Sequence, residues 1–274
     1  MHKLMIDFTL RKYRQLLLTL QQQGYQILTF EQYLTTHCPP KTEGDLQAER
    51  SKFIILRHDV DLKAANSLAT AQIEQELGIQ ASYYFRVVPQ SNQPDIIRAI
   101  AHLGHEIGYH YEDMAICQGN HQQAYEHFLM QLAYFRQFYP VRTICMHGAP
   151  TSQWDGKELW KQYNYHDLDI LGEPYFDVDF SELFYLTDTG RSWDGYKVSV
   201  RDKIPVYQDQ WIARGLVYHT TQDIISAAEQ GSLPHRIMIT THPQRWTDQP
   251  LAWIKELVLQ SLKNIVKRLF FVKK

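Results

Sequence analysis

The chain has 274 residues, 44% of them apolar, and a formal net charge of −2. Those values suit a globular protein with an ample core, built as one large domain or two small ones. They give no electrostatic case for nucleic acid or an anionic membrane, and no apolar run approaches the roughly 18 residues of a spanning helix.

The first residues, "MHKLMIDFTLRKYRQ", lack the apolar stretch and cleavage site of a signal peptide. Leu10, Tyr13, Leu17 and Leu20 sit at helical spacing, with Gly24 as a C-cap. "HCPPKTEGDLQAERSK", from His37 to Lys52, reads as a polar loop. A regular alternation follows. "FIILRHDV" is a strand and Ala65 to Leu77 a helix. "ASYYFRVV" is a strand and "PDIIRAIAHLG" a helix. "EIGYHY" is a strand, "QAYEHFLMQLAYFRQFY" a helix and "RTICMH" a strand. Farther on come a strand "GLVYHT", a helix "QDIISAAEQG", a strand "RIMITTH" and a helix near Leu251 to Leu269. The expected organisation is a single domain over residues 1–274, with a helical and strand extension over 1–50. An irregular, aromatic and acidic insertion is expected over 154–209. Cys38, Cys117 and Cys145 stand far apart with no CxxC, which reads as reduced thiols in a cytoplasmic protein.

Alternating strands and helices imply parallel strands with helices packed outside. The polar residues fall at strand ends: Asp59 and Asp61, Arg86, His110 and Glu112, His147, and His242. At least five strands end this way. That favours a parallel (β/α) barrel, whose strand ends converge on one face, over an open sheet with a single crevice.

Asp59 and Asp61 stand at i and i+2 and face one way if the strand continues. One suits a metal and the other a base; the plainer reading is a helix cap and a salt bridge to Arg57 or Lys63. His110 and Glu112 share the same spacing. One imidazole with two or three carboxylate oxygens suits zinc, iron or manganese. His105, about 17 Å earlier along an extended strand, belongs at the opposite end. His147 and His242 each end a strand before a Pro-containing loop.

In order and context these motifs resemble the polysaccharide deacetylase superfamily of metal-dependent carbohydrate esterases, from about Phe53 to Trp246. "ILRHDVD" is similar to its first motif, which implies Asp59 as catalytic base and Asp61 as metal ligand. "LGHEIGYH" is similar to the second, which implies His110 as a ligand. "MHGAP" stands where the family has an Arg-Pro loop that orders the base. "ITTHPQRW" stands where the family has the general acid, here His242. Two positions depart from the pattern. Met114 replaces the second ligand His, so Glu112 or Asp113 is the candidate replacement, with strand periodicity favouring Glu112. His147 replaces the Arg, either to orient Asp59 or to substitute for the missing ligand.

The resemblance implies a distorted barrel of about seven strands and one divalent metal, zinc first, with iron, cobalt or manganese as alternatives. It implies hydrolysis of an N-acyl group on a small carbohydrate, in a divergent cytoplasmic branch. Arg86 is a candidate for a substrate carboxylate or phosphate, or for a nearby acid. Trp246, with Tyr83, Tyr109, Tyr111 and Trp193, is a candidate sugar-stacking surface or core packing. Two rival readings keep the residues but change the role: hydrolysis of a small amide or ureide, and a non-catalytic sugar or nucleotide-sugar binder. No nucleic acid and no membrane insertion are expected, and the oligomeric state is open.

Overall fold

The structure, a computed structural model, describes residues 6–37, 51–149 and 151–270. Most of the expected loop from His37 to Lys52, with Cys38, lies outside them. In chain order the elements are α1 (Leu10–Gln22), β1 (Gln26–Leu28), α2 (Phe30–Thr36), β2 (Phe53–Val60), α3 (Ala64–Glu76) and β3 (Ser82–Phe85). Next come α4 (Pro94–His102), β4 (Glu106–Tyr111), α5 (Asp113–Ile116), α6 (His121–Phe135) and β5 (Ile144–Met146). The last are α7 (Pro174–Asp177), β6 (Phe184–Thr187), α8 (Pro205–Ala213), α9 (Thr221–Glu229), β7 (Arg236–Thr241) and α10 (Pro250–Phe270).

The seven strands of the described residues are all parallel. The ladder runs β5-β4-β3-β2-β7-β6, with β1 also paired to β2, and curls into a half-barrel whose end strands β5 and β6 do not pair. Parallel neighbours need a crossover, and the helices between strands supply it. Two sequence expectations differ from this picture. The stretch from Gly215 to Thr220, expected as a strand, is a loop. The strand beside β7 is instead β6, inside the 154–209 region, where Phe184 pairs with Ile237 and Thr187 with Thr240. Four residues give too short a pattern to stand out in an acidic, aromatic stretch.

β2 is the central strand, and all eight of its residues are buried. Side-chain alternation therefore sends polar groups to both faces. Arg57 and Asp59 face the inside of the curl. In register with Asp59 is Tyr84, and in register with Tyr84 is Gly108. A Cβ on Gly108 would stand 2.3 Å from the Tyr84 ring, so glycine lets that ring lie across β4 as a floor beneath the strand ends.

His58 faces the other way, toward α1 and α3. There it meets Glu74 of α3, a fully buried carboxylate on the same helix face as Ser67, Thr70 and Ala71. His58 Nε2 lies 2.7 Å from Glu74 Oε1, and Tyr83 donates to Oε2 at 2.7 Å. Tyr13 also donates to Glu74, and His58 Nδ1 lies 2.6 Å from Thr241 Oγ1. Burial works to raise the Glu74 carboxyl, but His58 and His105 outweigh it and hold it below its ordinary value. One buried anion thus satisfies an imidazole and two phenols from three elements. Glu74→Ala strands all three and is expected to cost about 3–5 kcal/mol, the usual result of removing one partner of a buried pair. Urea unfolding measures it; a loss below about 1 kcal/mol would mean that the neighbours find other partners.

Candidate active site

At the C-terminal end of β2, Arg57 grips Asp59 with a two-pronged bond, Nε to Oδ1 at 2.8 Å and a terminal nitrogen to Oδ2 at 2.7 Å. The i, i+2 spacing along one strand face makes this local pairing possible. Burial works to raise the Asp59 carboxyl, but Arg57 and then His110 outweigh it and hold it below its ordinary value.

Asp61 lies past the strand end. Its Oδ1 is 3.6 Å from His110 Nε2 and 3.5 Å from His147 Nε2, while Oδ2 is 3.8 Å from His242 Nε2. Gln244 donates to Oδ2 at 3.3 Å. Oδ1 is buried and has no hydrogen-bond partner among the described residues.

Each imidazole facing Asp61 is fixed from behind. His110 donates through Nδ1 to the Cys145 carbonyl on β5 at 2.9 Å, leaving Nε2 as its acceptor nitrogen. Burial lowers its pKa to about 4, so the ring is neutral at ordinary pH. His147 follows β5 and donates through Nδ1 to Glu112 at 2.9 Å. Its Nε2 is likewise turned to Asp61. His242 follows β7 and donates through Nδ1 to Asp188 at 2.6 Å. Burial and Arg245 act to lower the His242 pKa; Asp188 and Asp61 outweigh them, and the net shift is upward.

Behind His242, Asp188 is completely buried. It accepts from Arg245 at 2.5 Å and from the Trp246 indole at 2.8 Å. A further acid, Asp202, accepts from Thr187 at 2.8 Å and lies 3.9 Å from Arg57.

The five strand-end residues Asp59, Asp61, His110, His147 and His242 therefore meet around one cavity of about 1180 Å³. His105 lies with the Glu74 network instead, its Nδ1 3.5 Å from Glu74 Oε2.

Glu112 does not continue β4. β4 stops at Tyr111, and Glu112 has φ −144° and ψ 27°, so the strand periodicity that would align it with His110 has already lapsed. Both its oxygens take bonds from Arg86 at 2.8 Å, and Oε2 also accepts from His147. Arg86 thus pairs with a nearby acid. Asp113, the other candidate, is buried against Tyr109 and His127, and Met114 packs in the hydrophobic core. Trp246 is fully buried and so has no sugar-stacking face; it supports Asp188. Tyr83, Tyr109, Tyr111 and Trp193 are core residues as well.

Sequence reading passes over Asp188, Asp202 and Arg245, and treats Arg57 only as a salt-bridge partner. The run "FYLTD" carries the missed signal for Asp188, an apolar strand ended by an acid.

The donor set fits a divalent cation. Asp61 Oδ1 is a buried carboxylate oxygen lacking a hydrogen bond, and it faces two imidazole nitrogens whose rings are oriented from behind, one by a carbonyl and one by a carboxylate. Metal-ligating histidines commonly have that outer support. Among the described residues, the group whose three potential ligand atoms all lie within 4.8 Å of one another is a neighbouring one, Asp59, His110 and Cys145. It suits a cation less well. Both Asp59 oxygens are held by Arg57, and burial pushes the Cys145 thiol well up, away from the thiolate a metal requires.

No protein-family profile matches the sequence, and no curated protein matches it. Among solved structures it is similar to CE4 family structures. One is a mutant of a CE4 family pseudoenzyme with restored enzymatic activity, at 12% identity and a TM-score of 0.39, covering 80% of this chain and 64% of that one. The chain thus spans less than two thirds of that structure's length. Another is the Xyl-CE4 domain of a multidomain xylanase from the hindgut metagenome of Trinervitermes trinervoides, at 12% identity and a TM-score of 0.36. It covers 79% of this chain and 85% of that one. Neither assigns chemistry to this chain, which has to come from its own side chains.

Proposed function

We propose that the protein is a metal-dependent hydrolase that removes an N-acyl group, acetyl first, from an amino sugar or glycan precursor. The observation that carries this reading is the unsatisfied Asp61 Oδ1 between the Nε2 atoms of His110 and His147. Asp61, His110 and His147 would hold one divalent ion, zinc before iron, cobalt or manganese. His147 then stands in for the histidine missing at Met114, and Glu112 orients His147. Bound there, the ion supplies Lewis acidity and neutralises charge developing on an amide carbonyl.

The remaining steps belong to the chain's own groups. Asp59, ionised and aligned by Arg57, accepts a proton from the attacking water. This guanidinium takes the role that the deacetylase resemblance assigns to an Arg-Pro loop. His242, with Nδ1 tied to Asp188, presents Nε2 to the leaving amine and donates the proton. Asp188 fixes the ring and favours its protonated form, as a buried acid behind a histidine does. The cavity, about 1180 Å³, has room for a saccharide.

The reading is tested by loading the protein with zinc and screening N-acetylated sugars and nucleotide sugars for released acetate, then ureides for ammonia. Acetate release supports it, and ammonia alone moves the substrate to a ureide. No release from any, with sugar binding that is indifferent to Asp59 and His242, leaves a binding protein. A further expectation concerns Glu112. Glu112→Gln loosens the His147 ring while keeping its volume, and is expected to weaken zinc affinity about 10–100-fold. Competition against a chromogenic chelator measures this; unchanged affinity would remove Glu112 from the support of the site.

A further inference from the structure

α10 is an amphipathic helix seated the wrong way round. Leu251, Ile254, Val258, Leu262, Ile265 and Leu269 recur at three- and four-residue steps, which places them on one stripe. All six are at least 52% exposed, and Leu251 reaches 84%. The polar side is the one turned to the protein. Glu256 and Gln260 are buried, Glu256 pairs with Lys63 at 2.6 Å, and Asn264 donates to the Gly190 carbonyl at 2.8 Å. A helix packed for its own stability buries the apolar face. An aliphatic stripe along a whole helix exceeds the scattered surface hydrophobes of ordinary monomers and marks a docking surface.

Charge indicates what docks. From Pro250 onward the sequence holds Lys255, Lys263, Lys267, Arg268, Lys273 and Lys274 against the single acid Glu256. The chain as a whole carries −2, so the acidic excess lies elsewhere, and the near-neutral total conceals a basic C-terminal segment. A second copy packing stripe to stripe about a two-fold axis would bring this basic segment against itself. No described helix is long and apolar enough to cross a membrane. A Leu/Ile/Val face with the exposed Lys255 beside it, in a segment this basic, suits a helix lying in the plane of an anionic bilayer.

We propose that α10 is an interfacial membrane-docking helix that rests its aliphatic stripe on an anionic lipid surface. Leu259, Leu262, Lys263, Val266 and Lys267 of the same helix also line the site cavity. Docking therefore sets one wall of that cavity at the bilayer surface. This inference stands on the helix alone and does not depend on the reaction proposed above.

The test is sedimentation of the full chain with sucrose-loaded vesicles of phosphatidylcholine, alone or mixed with phosphatidylglycerol. The protein is expected to pellet with the anionic vesicles and to be released by salt. Ile254→Ser with Ile265→Ser, both exposed and outside the cavity lining, is expected to weaken binding at least about tenfold. Lys255→Gln should weaken it about fivefold. Far-UV circular dichroism and thermal unfolding verify that these surface variants fold. Failure to bind anionic vesicles at low salt overturns the proposal, and so does binding that ignores the serine pair. A dimer detected by light scattering, dissolved by the serine pair and without vesicle affinity, gives the stripe to a second copy and also overturns it.

Discussion

Alanine at Asp61, His110 or His147 is expected to take the protein from about one zinc per chain to near none while leaving the fold intact, because each removes one of the three proposed ligands. The expectation follows from where the lone pairs point. His110 and His147 each spend Nδ1–H on a fixed acceptor, so only Nε2 remains, and both Nε2 atoms lie within 3.6 Å of the same Asp61 oxygen. A carboxylate oxygen buried without a hydrogen bond carries a desolvation cost that a cation offsets. Two controls separate this set from its neighbours. Cys145→Ser is expected to keep zinc, because the buried thiol stays protonated. Glu112→Gln is expected to keep the stoichiometry and lose affinity. Elemental analysis of protein purified without a metal-affinity column reads all of these variants. Full zinc in His147→Ala, with loss in Cys145→Ser, would transfer the site to the Asp59, His110 and Cys145 group.

Much of the fold is legible in the sequence, because strong apolar runs such as Phe53–Leu56 alternate with helical spacing and each run ends in a polar residue. Such breaks mark the strand ends, and parallel strands bring their ends to one side. Hence His110, His147 and His242 can be placed near Asp59 and Asp61 from pattern alone. What pattern does not carry is direction beyond the strand. Glu112 keeps the i, i+2 spacing to His110, but the backbone turns at that residue, and Arg86 from the end of β3 captures the carboxylate. His147 and Glu112 are far apart in sequence, and their pairing depends on β4 and β5 being neighbours. Asp188 is hidden for another reason. Its strand, β6, is only four residues long and is embedded in a stretch whose composition reads as irregular. Arg57 looks like an ordinary ion-pair partner because its partner is two residues away. The buried anion Glu74 escapes notice too, since its helix shows no clean apolar stripe when Ser67, Thr70 and Glu74 all face inward.

Asp59→Asn and His242→Ala are each expected to lower turnover about 10²–10⁴-fold, the usual cost of losing a general base or acid, with zinc retained. Asp59 is suited to accept a proton because Arg57 holds it ionised; asparagine keeps its shape and removes that capacity. His242 is suited to give one because Asp188 and Asp61 together outweigh burial and Arg245 and favour the charged ring. Its Nε2 stands 3.8 Å from Asp61 Oδ2, on the opposite oxygen from His110 and His147, so its removal leaves the three proposed donors in place. Asp59 is 3.7 Å from His110 Nε2, with both oxygens already committed to Arg57, so it too stands beside the metal set as a separate group. Steady-state rates of acetate release on the substrate found by screening, paired with zinc content measured on the same preparations, separate chemistry from metal loss. Variants that lose rate only in proportion to zinc would make both residues ligands. Variants that keep both zinc and rate would assign the proton transfers to other groups, and Asp59 and His242 would be neither base nor acid.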